Sequence, residues 1–164
     1  MTGSDDTLKH SLSGQPELFA DPQPRFLAFD LEISKSIEDF SQWKAHRPLG
    51  ISCAATLLEG EPPRVWFSRE PDQRIARHMN RDDLTVLVHY LEEAARQGSQ
   101  ILTWNGLGFD FDVLAEESES WSACRELALS HIDMMFHFFC LQGYPLGLDT
   151  VSYTHLTLPT IYSV

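Results

Sequence analysis

"RFLAFDLEIS" (Arg25–Ser34) places two carboxylates, Asp30 and Glu32, two positions apart inside an otherwise apolar run. Side chains alternate across a strand, so a strand here sends Phe26, Ala28, Asp30 and Glu32 to one face. Leu27, Phe29, Leu31 and Ile33 take the other. Two like charges then stand about 7 Å apart on one strand face, where they repel each other and lose hydration. A cation between them relieves this, as does a proton held on one of them. The rest of the chain has to supply the choice.

The 164 residues suffice for one domain with a core, and 43% hydrophobic with 22% charged residues is ordinary for a globular chain. No apolar run reaches the roughly 18 residues of a membrane span. Residues 1–24 are rich in Ser, Gly, Pro and Asp, lack a signal-peptide core, and read as a disordered leader. A cytoplasmic location with no membrane partner is the expectation. Cys53, Cys124 and Cys140 are odd in number and widely spaced, which favours buried free thiols over disulfides or a zinc site. The net charge of −12 argues against a broad basic footprint for nucleic acid. It leaves room for a local acidic cluster that binds metal and a strand end.

After the first strand, at about 25–33, "SIEDFSQWKAH" reads as a short helical or looped excursion. "LGISCAATLLEG" and "RVWFS" form a hairpin around "EPP". "DDLTVLVHYLEEAARQG" carries apolar residues at helical spacing, with Asp82 as N-cap and Gly98 as terminator. "QILTW" reads as a buried strand, "NGLG" as a turn, and "FDFDVLAEES" as the start of a helix. "SWSACRELALS" and the apolar "HIDMMFHFFCLQG" complete the set as helices. The resulting order is a mixed α/β layer architecture.

The turn at Asn105-Gly106 is a strong signal. It places Asp110 at a helix start beyond a strand end, the position where open α/β sheets take ligands. If the Asp30 strand neighbours the strand ending at Trp104, then Asp30, Glu32 and Asp110 approach one pocket. Such a set of carboxylates suits a hard divalent cation, Mg²⁺ or Mn²⁺.

Asp30-Leu31-Glu32 followed by Asn105-Gly106-Leu107-Gly108-Phe109-Asp110 resembles the first two motifs of the DEDD 3′–5′ exonucleases. The subgroup it most resembles is the predicted exonucleases related to the family B DNA polymerase proofreading domain. The resemblance spans about residues 25–150. It implies a ribonuclease H-like mixed sheet flanked by helices, and a two-metal hydrolysis of single-stranded or 3′-ended nucleic acid. Carried over, Asp30 bridges two Mg²⁺ or Mn²⁺ ions, Glu32 holds one and helps align the attacking water, and Asp110 holds the other. Asn105 and Phe109 shape the turn and the nucleotide pocket. Ile33 stands where many relatives have Thr, so a hydroxyl near the expected 3′ end is lost while the backbone amide remains.

Competing readings are structural. Asp30 and Glu32 fit a solvated edge pair, and Asp110 fits a plain helix cap. Asp112 competes with Asp110, but the Phe-Asp spacing favours Asp110. Asp133 reads as a helix cap with a supporting role at the site as the alternative. His131 and His137 read as structural, Phe136, Phe138 and Phe139 as core, and Glu38 and Asp39 as a solvated face. No Tyr-x-x-x-Asp or His-x-x-x-x-Asp pattern follows Asp110; Tyr144 and Asp149 come nearest, one residue too far apart. No Lys or Arg follows Arg125. Residues 151–164 resemble a translated sequencing-adapter peptide. The expectation is therefore a partial exonuclease domain over 25–150, incomplete at the C-terminus, lacking a fourth metal ligand and weak or inactive. The alternatives are a non-catalytic ribonuclease H-like module binding nucleic acid or protein, and a phosphodiesterase acting on small nucleotides.

Overall fold

A computed structural model describes residues 24–148 and 150–151. Residues 1–23 of the expected leader, Asp149 and residues 152–164 of the expected foreign tail lie outside the described residues.

Five strands form one sheet in the order β3-β2-β1-β4-β5. They are β1 (Phe26–Ile33), β2 (Ile51–Leu58), β3 (Arg64–Trp66), β4 (Gln100–Thr103) and β5 (Ile132–Asp133). β2 runs antiparallel to both β1 and β3, whereas β4 runs parallel to β1 and β5 parallel to β4. With its flanking helices this is a mixed α/β sheet, consistent with the ribonuclease H-like fold that the resemblance implies. The strand that carries Asp30 does lie beside the strand that leads to Trp104.

Alternation along β1 is clean: Leu27, Phe29 and Leu31 are buried, while Phe26, Ala28, Asp30 and Glu32 are exposed. The buried face of the sheet meets α1 (Arg81–Arg96) and α2 (Asp110–Ser118), and α3 (Trp121–Ser130) packs on those two helices. Leu84, Leu87, Val88 and Leu91 of α1 join Val113 and Leu114 of α2 and Leu127 of α3 in one core. Each such side chain contributes about 1.5–3 kcal/mol by leaving water. Trp66 enters this core with a partner for its indole, donating to Thr56 Oγ1 at 3.0 Å.

Among the described residues, nothing covers the opposite face of the sheet beside β1 and β2. A groove of about 360 Å³ runs there, lined among others by Ala28, Asp30, Leu57, Leu102 and Trp104. A further helix, α4 (Met134–Gln142), packs against β4 and β5 but buries none of its residues.

Several expectations need correction. The cap of α1 is Asn80, whose side chain accepts from Asp83 N at 2.9 Å; Asp82 and Asp83 instead occupy the first turn, where they favour the positive helix end. The excursion after β1, by contrast, is helical as one of its two expected forms: a 3-10 helix, Phe40–His46, capped by Asp39. "HIDMM" is not wholly helical: Ile132 and Asp133 add a fifth strand before α4 begins. Phe136 and Phe139 are 56% and 41% exposed, so they are not core. Of the cysteines only Cys124 is buried, and Cys140 is exposed. Apolar composition promoted these residues to a core; among the described residues α4 packs on β4 and β5 and meets no second surface that would bury them.

Candidate metal centre

Two segments far apart in sequence deliver the carboxylates. β1 ends in a bulge between Glu32 and Ile33, where the extra residue is Ser52 of β2; its hydroxyl donates to Glu32 O at 3.0 Å. Bulges re-aim a strand end, often beside a site. β4 then passes through Thr103 and Trp104 into the Asn-Gly turn. Asn105 takes a left-handed φ of 67°, and Gly106 N donates to Thr103 Oγ1 at 3.1 Å. A Cβ on Gly106 would collide with the Thr103 side chain, so this close approach requires glycine.

Asp133 locks the turn from the other side. Its Oδ1 accepts from Asn105 N at 3.0 Å and from Phe136 N at 3.2 Å, and its Oδ2 accepts from Leu107 N at 3.1 Å. It is therefore the cap of α4 and, at the same time, the tie between that helix and the turn before Asp110. His131 beside it packs its ring edge-on to Phe111 with centroids 4.9 Å apart and has Nδ1 2.7 Å from Ala128 O, while its buried Nε2 has no hydrogen-bond partner among the described residues and lies 4.0 Å from Asp133 Oδ2.

The turn feeds Asp110 into the first position of α2, facing inward and only 2% exposed. Its carboxyl is pushed up to about 7, first by burial and then by the charge of Asp30, with a further push from Asp133; backbone amides of Leu31 and Asp110 itself oppose this. Burial also raises Asp30, against the pull of the Leu31 amide. Among the described residues, no cationic side chain is among the groups acting on either carboxyl. The structure thus brings Asp30 and Asp110 into electrostatic contact across the end of β1.

Glu32 shares the exposed face of β1 with Asp30. Among the described residues, however, no group of three or more His, Cys, Asp or Glu side chains stands close enough to hold a metal ion together. Glu32 is thus not gathered with the aspartates into one ligand set. The donor chemistry still fits a hard cation: two carboxylates without a counter-charge match Mg²⁺ or Mn²⁺, which is often held by one or two carboxylates plus water and phosphate oxygens.

Ile33 is half-buried and packs on the core at the bulge. Asn105 shapes the turn. Phe109, directly before Asp110, packs on Phe40 and Trp43 with centroids 5.1 and 5.0 Å apart. The sequence reading missed this link between the 3-10 helix and the turn; the aromatic residues in "DFSQWK" were its only trace. Asp112 turns away from the site to the Arg47 guanidinium, 3.2 Å distant.

No family model matches the sequence, and no curated protein matches it. Among solved structures, the family B DNA polymerase from the hyperthermophilic archaeon Pyrobaculum calidifontis is similar, with a TM-score of 0.42 and 21% identity. The match covers 62% of this chain and 12% of the polymerase chain, so the chain spans only a small part of that protein's length. No helix among the described residues is long and apolar enough to cross a membrane.

Proposed function

We propose that the domain is a metal-dependent 3′–5′ exonuclease domain that acts on single-stranded or 3′-ended nucleic acid, with Asp30 and Asp110 as the primary ligands. The observation that carries this reading is the Asp30–Asp110 pair. A carboxylate as buried as Asp110, placed against a second one with no counter-charge among the described residues, is costly unless a cation or a proton completes it. Mg²⁺ or Mn²⁺ bound there would activate a water molecule and neutralise the leaving 3′ oxygen.

The chain's own residues have distinct parts in this scheme. Asp30 and Asp110 offer oxygen ligands from two rigid elements, and the Leu31 amide orients both carboxylates. Glu32, on the same strand face as Asp30, is placed toward solvent and is assigned to a second ion or to the attacking water. Asp133 holds the Asn105–Leu107 turn and so the angle at which Asp110 enters. With two carboxylates rather than a full set gathered, binding of the ion is expected to be weak, and hydrolysis with Mg²⁺ slow or undetectable in this chain.

That incomplete ligand set also favours a second reading, a non-catalytic ribonuclease H-like module that binds nucleic acid or protein. Metal separates the two. On the exonuclease reading Mn²⁺ raises the thermal midpoint of the chain, because it binds the native state, and Asp30→Asn with Asp110→Asn abolishes the rise. A parent midpoint that ignores Mn²⁺ overturns the metal centre and leaves the binding module.

A further inference from the structure

Five of the chain's 12 Lys and Arg residues fall within 64–81, and all five are arginines: Arg64, Arg69, Arg74, Arg77 and Arg81. Only two acids, Glu70 and Asp72, share that segment, in a chain of net charge −12. Two of the arginines are neutralised locally: Arg74 pairs with Asp72 at 2.6 Å and Arg81 with Glu119 at 2.5 Å. Arg64 and Arg69 are exposed and, among the described residues, pair with no carboxylate. Both lie on aromatic rings instead. The Arg64 guanidinium sits 3.7 Å from the Trp66 ring centroid and 5.3 Å from that of Tyr90, and the Arg69 guanidinium sits 5.0 Å from that of Phe67.

These two arginines line one groove of about 490 Å³ between β3 and α1, together with Trp66, Phe67, Asp83 and Val86. Asp83, the one carboxylate in the lining, is tied to the start of α1: its Oδ2 accepts from Ser68 Oγ at 2.5 Å and from Asn80 Nδ2 at 2.8 Å. Strand register fixes where the groove lies. Arg64 pairs with Thr56, and Thr56 with Phe29; Trp66 pairs with Ala54, and Ala54 with Leu31. Paired residues share a face of the sheet, and Phe29, Leu31, Ala54 and Thr56 are buried. Arg64 and Trp66 therefore stand on the helix-covered face, at its outer edge. Asp30 pairs with Ala55, and Ala55 with Val65, on the opposite face. The groove is thus separate from the carboxylate pair, two strands away across the sheet, or about 10 Å, and on its other side.

Chemistry narrows the ligand. A guanidinium meets phosphate in a bidentate fork, and one stacked on a ring keeps its outer plane for a base. An extended peptide would have to add to the edge of β3, which offers only three residues beginning with Arg64; short, charged edges resist strand addition. A duplex hides its bases in its own stack and could use the charge alone. We infer that the groove between β3 and α1 is a binding site for single-stranded nucleic acid that works without metal. Arg64 and Arg69 each take a phosphate, and Trp66, Tyr90 and Phe67 hold the two guanidinia in place. The site does not rest on the exonuclease reading of Asp30 and Asp110. It gives an acidic chain a place to hold a strand away from its carboxylates.

The test uses a fluorescent single-stranded oligothymidylate, titrated with the full chain in chelator at low ionic strength and read by anisotropy. The parent should bind, with an affinity that falls as salt rises. Arg64→Gln with Arg69→Gln should weaken binding by about tenfold or more and flatten the salt slope by about 1.4, two phosphate contacts at about 0.7 each. Arg64→Lys with Arg69→Lys keeps the charge without the fork and should recover only part of the affinity. Arg74→Gln, outside the groove, should bind as the parent does. Thermal midpoints report whether each variant folds. Arg69→Gln alone leaves the Arg64 stack intact and should still flatten the slope by about 0.7, so a double variant that fails to fold does not end the test.

A parent that leaves the oligonucleotide unbound in chelator overturns the site, and so do folded glutamine variants that bind as the parent does. Loss on Asp30→Asn with Asp110→Asn, and none on the arginine variants, would place the strand at the carboxylates and overturn it too. A fluorescent polyglutamate peptide that binds through the same arginines more tightly than the oligonucleotide would make the groove an acidic-peptide site and overturn the nucleic-acid assignment. The response of the thermal midpoint to Mn²⁺ is a separate measurement, so the groove and the metal centre stand or fall independently.

Discussion

Asp110 and Asp112 stand two residues apart in the first turn of α2 and have opposite surroundings. Asp112 is half-buried at the surface, 3.2 Å from the Arg47 guanidinium, and Glu116 one turn later takes the Arg47 Nε at 2.7 Å. The hydrogen bond to Glu116, and then the two carboxylate charges, raise Arg47 further above its ordinary range. Asp110 is turned inward and meets carboxylates, Asp30 first and Asp133 next. Among the described residues, the helix start is therefore neutralised on its outer side by a cation and left uncompensated on its inner side. Helix amides near the first turn favour negative charge, but they offset only part of the burial of Asp110, since its carboxyl still lies near 7. A fold that can bring an arginine to Asp112 from 65 positions earlier brings none to Asp110. On the proposed reading, that contrast makes the inner corner the place for an exogenous cation.

The sharpest way to break the contrast is Asp110→Asn in the metal-free chain. The folded-state carboxyl is raised above its ordinary value of 3.8, so the folded form keeps a proton that the unfolded form releases. Stability from this group is complete below about pH 4 and is lost as pH rises toward and through about 7, by up to roughly 4 kcal/mol. Asp110→Asn should remove that slope: denaturation followed with chelator present should be flatter between about pH 5 and pH 8, and the variant should be the more stable chain at the upper end. A variant as pH-sensitive as the parent would show that Asp110 is not the uncompensated group.

A smaller effect is expected on the outer side. Arg47→Ala leaves Asp112 and Glu116 partly buried without their cation and removes the guanidinium from the Trp43 ring. It should cost about 2 kcal/mol, between the values for exposed and buried pairs, measured by denaturant unfolding at neutral pH. The Mn²⁺ rise in thermal midpoint should be retained. A loss of that rise on removing Arg47 would mean that the two corners are one site.

The smallest effect belongs to Asp112→Asn. Arg47 keeps Glu116 as a partner at 2.7 Å, and a partly exposed ion pair contributes under about 1 kcal/mol. Unfolding should shift little, and the Mn²⁺ response should match the parent. If Asp112→Asn rather than Asp110→Asn abolished the response to Mn²⁺, the inner and outer roles would be reversed.

Much of this was legible before any coordinates. The alternation in "RFLAFDLEIS" determined which β1 residues face the core, because a strand repeats every two residues whatever surrounds it. The spacing of Leu84, Leu87, Val88 and Leu91 determined α1, and Asn105-Gly106 determined the turn. These are local properties, set by sterics and periodicity over a few residues. The choice of Asp110 over Asp112 rested on the Phe-Asp spacing of the resemblance; in the structure Asp110 is buried and Asp112 faces a guanidinium.

The remainder was decided by tertiary structure. A two-residue strand such as Ile132–Asp133 has no period to detect; it exists because β4 offers a parallel edge to pair with. The exposure of Phe136 and Phe139 follows from where α4 lies, at a sheet edge with nothing opposite among the described residues, and composition carries no information about that. The pairing of Asp30 with Asp110, the tie from Asp133 to the Asn105 amide, and the packing of Phe40 on Phe109 each join segments dozens of positions apart. Desolvation and Coulomb energy depend on which distant segments become neighbours, so sequence could nominate the carboxylates while only the packed sheet could leave one of them without a partner cation.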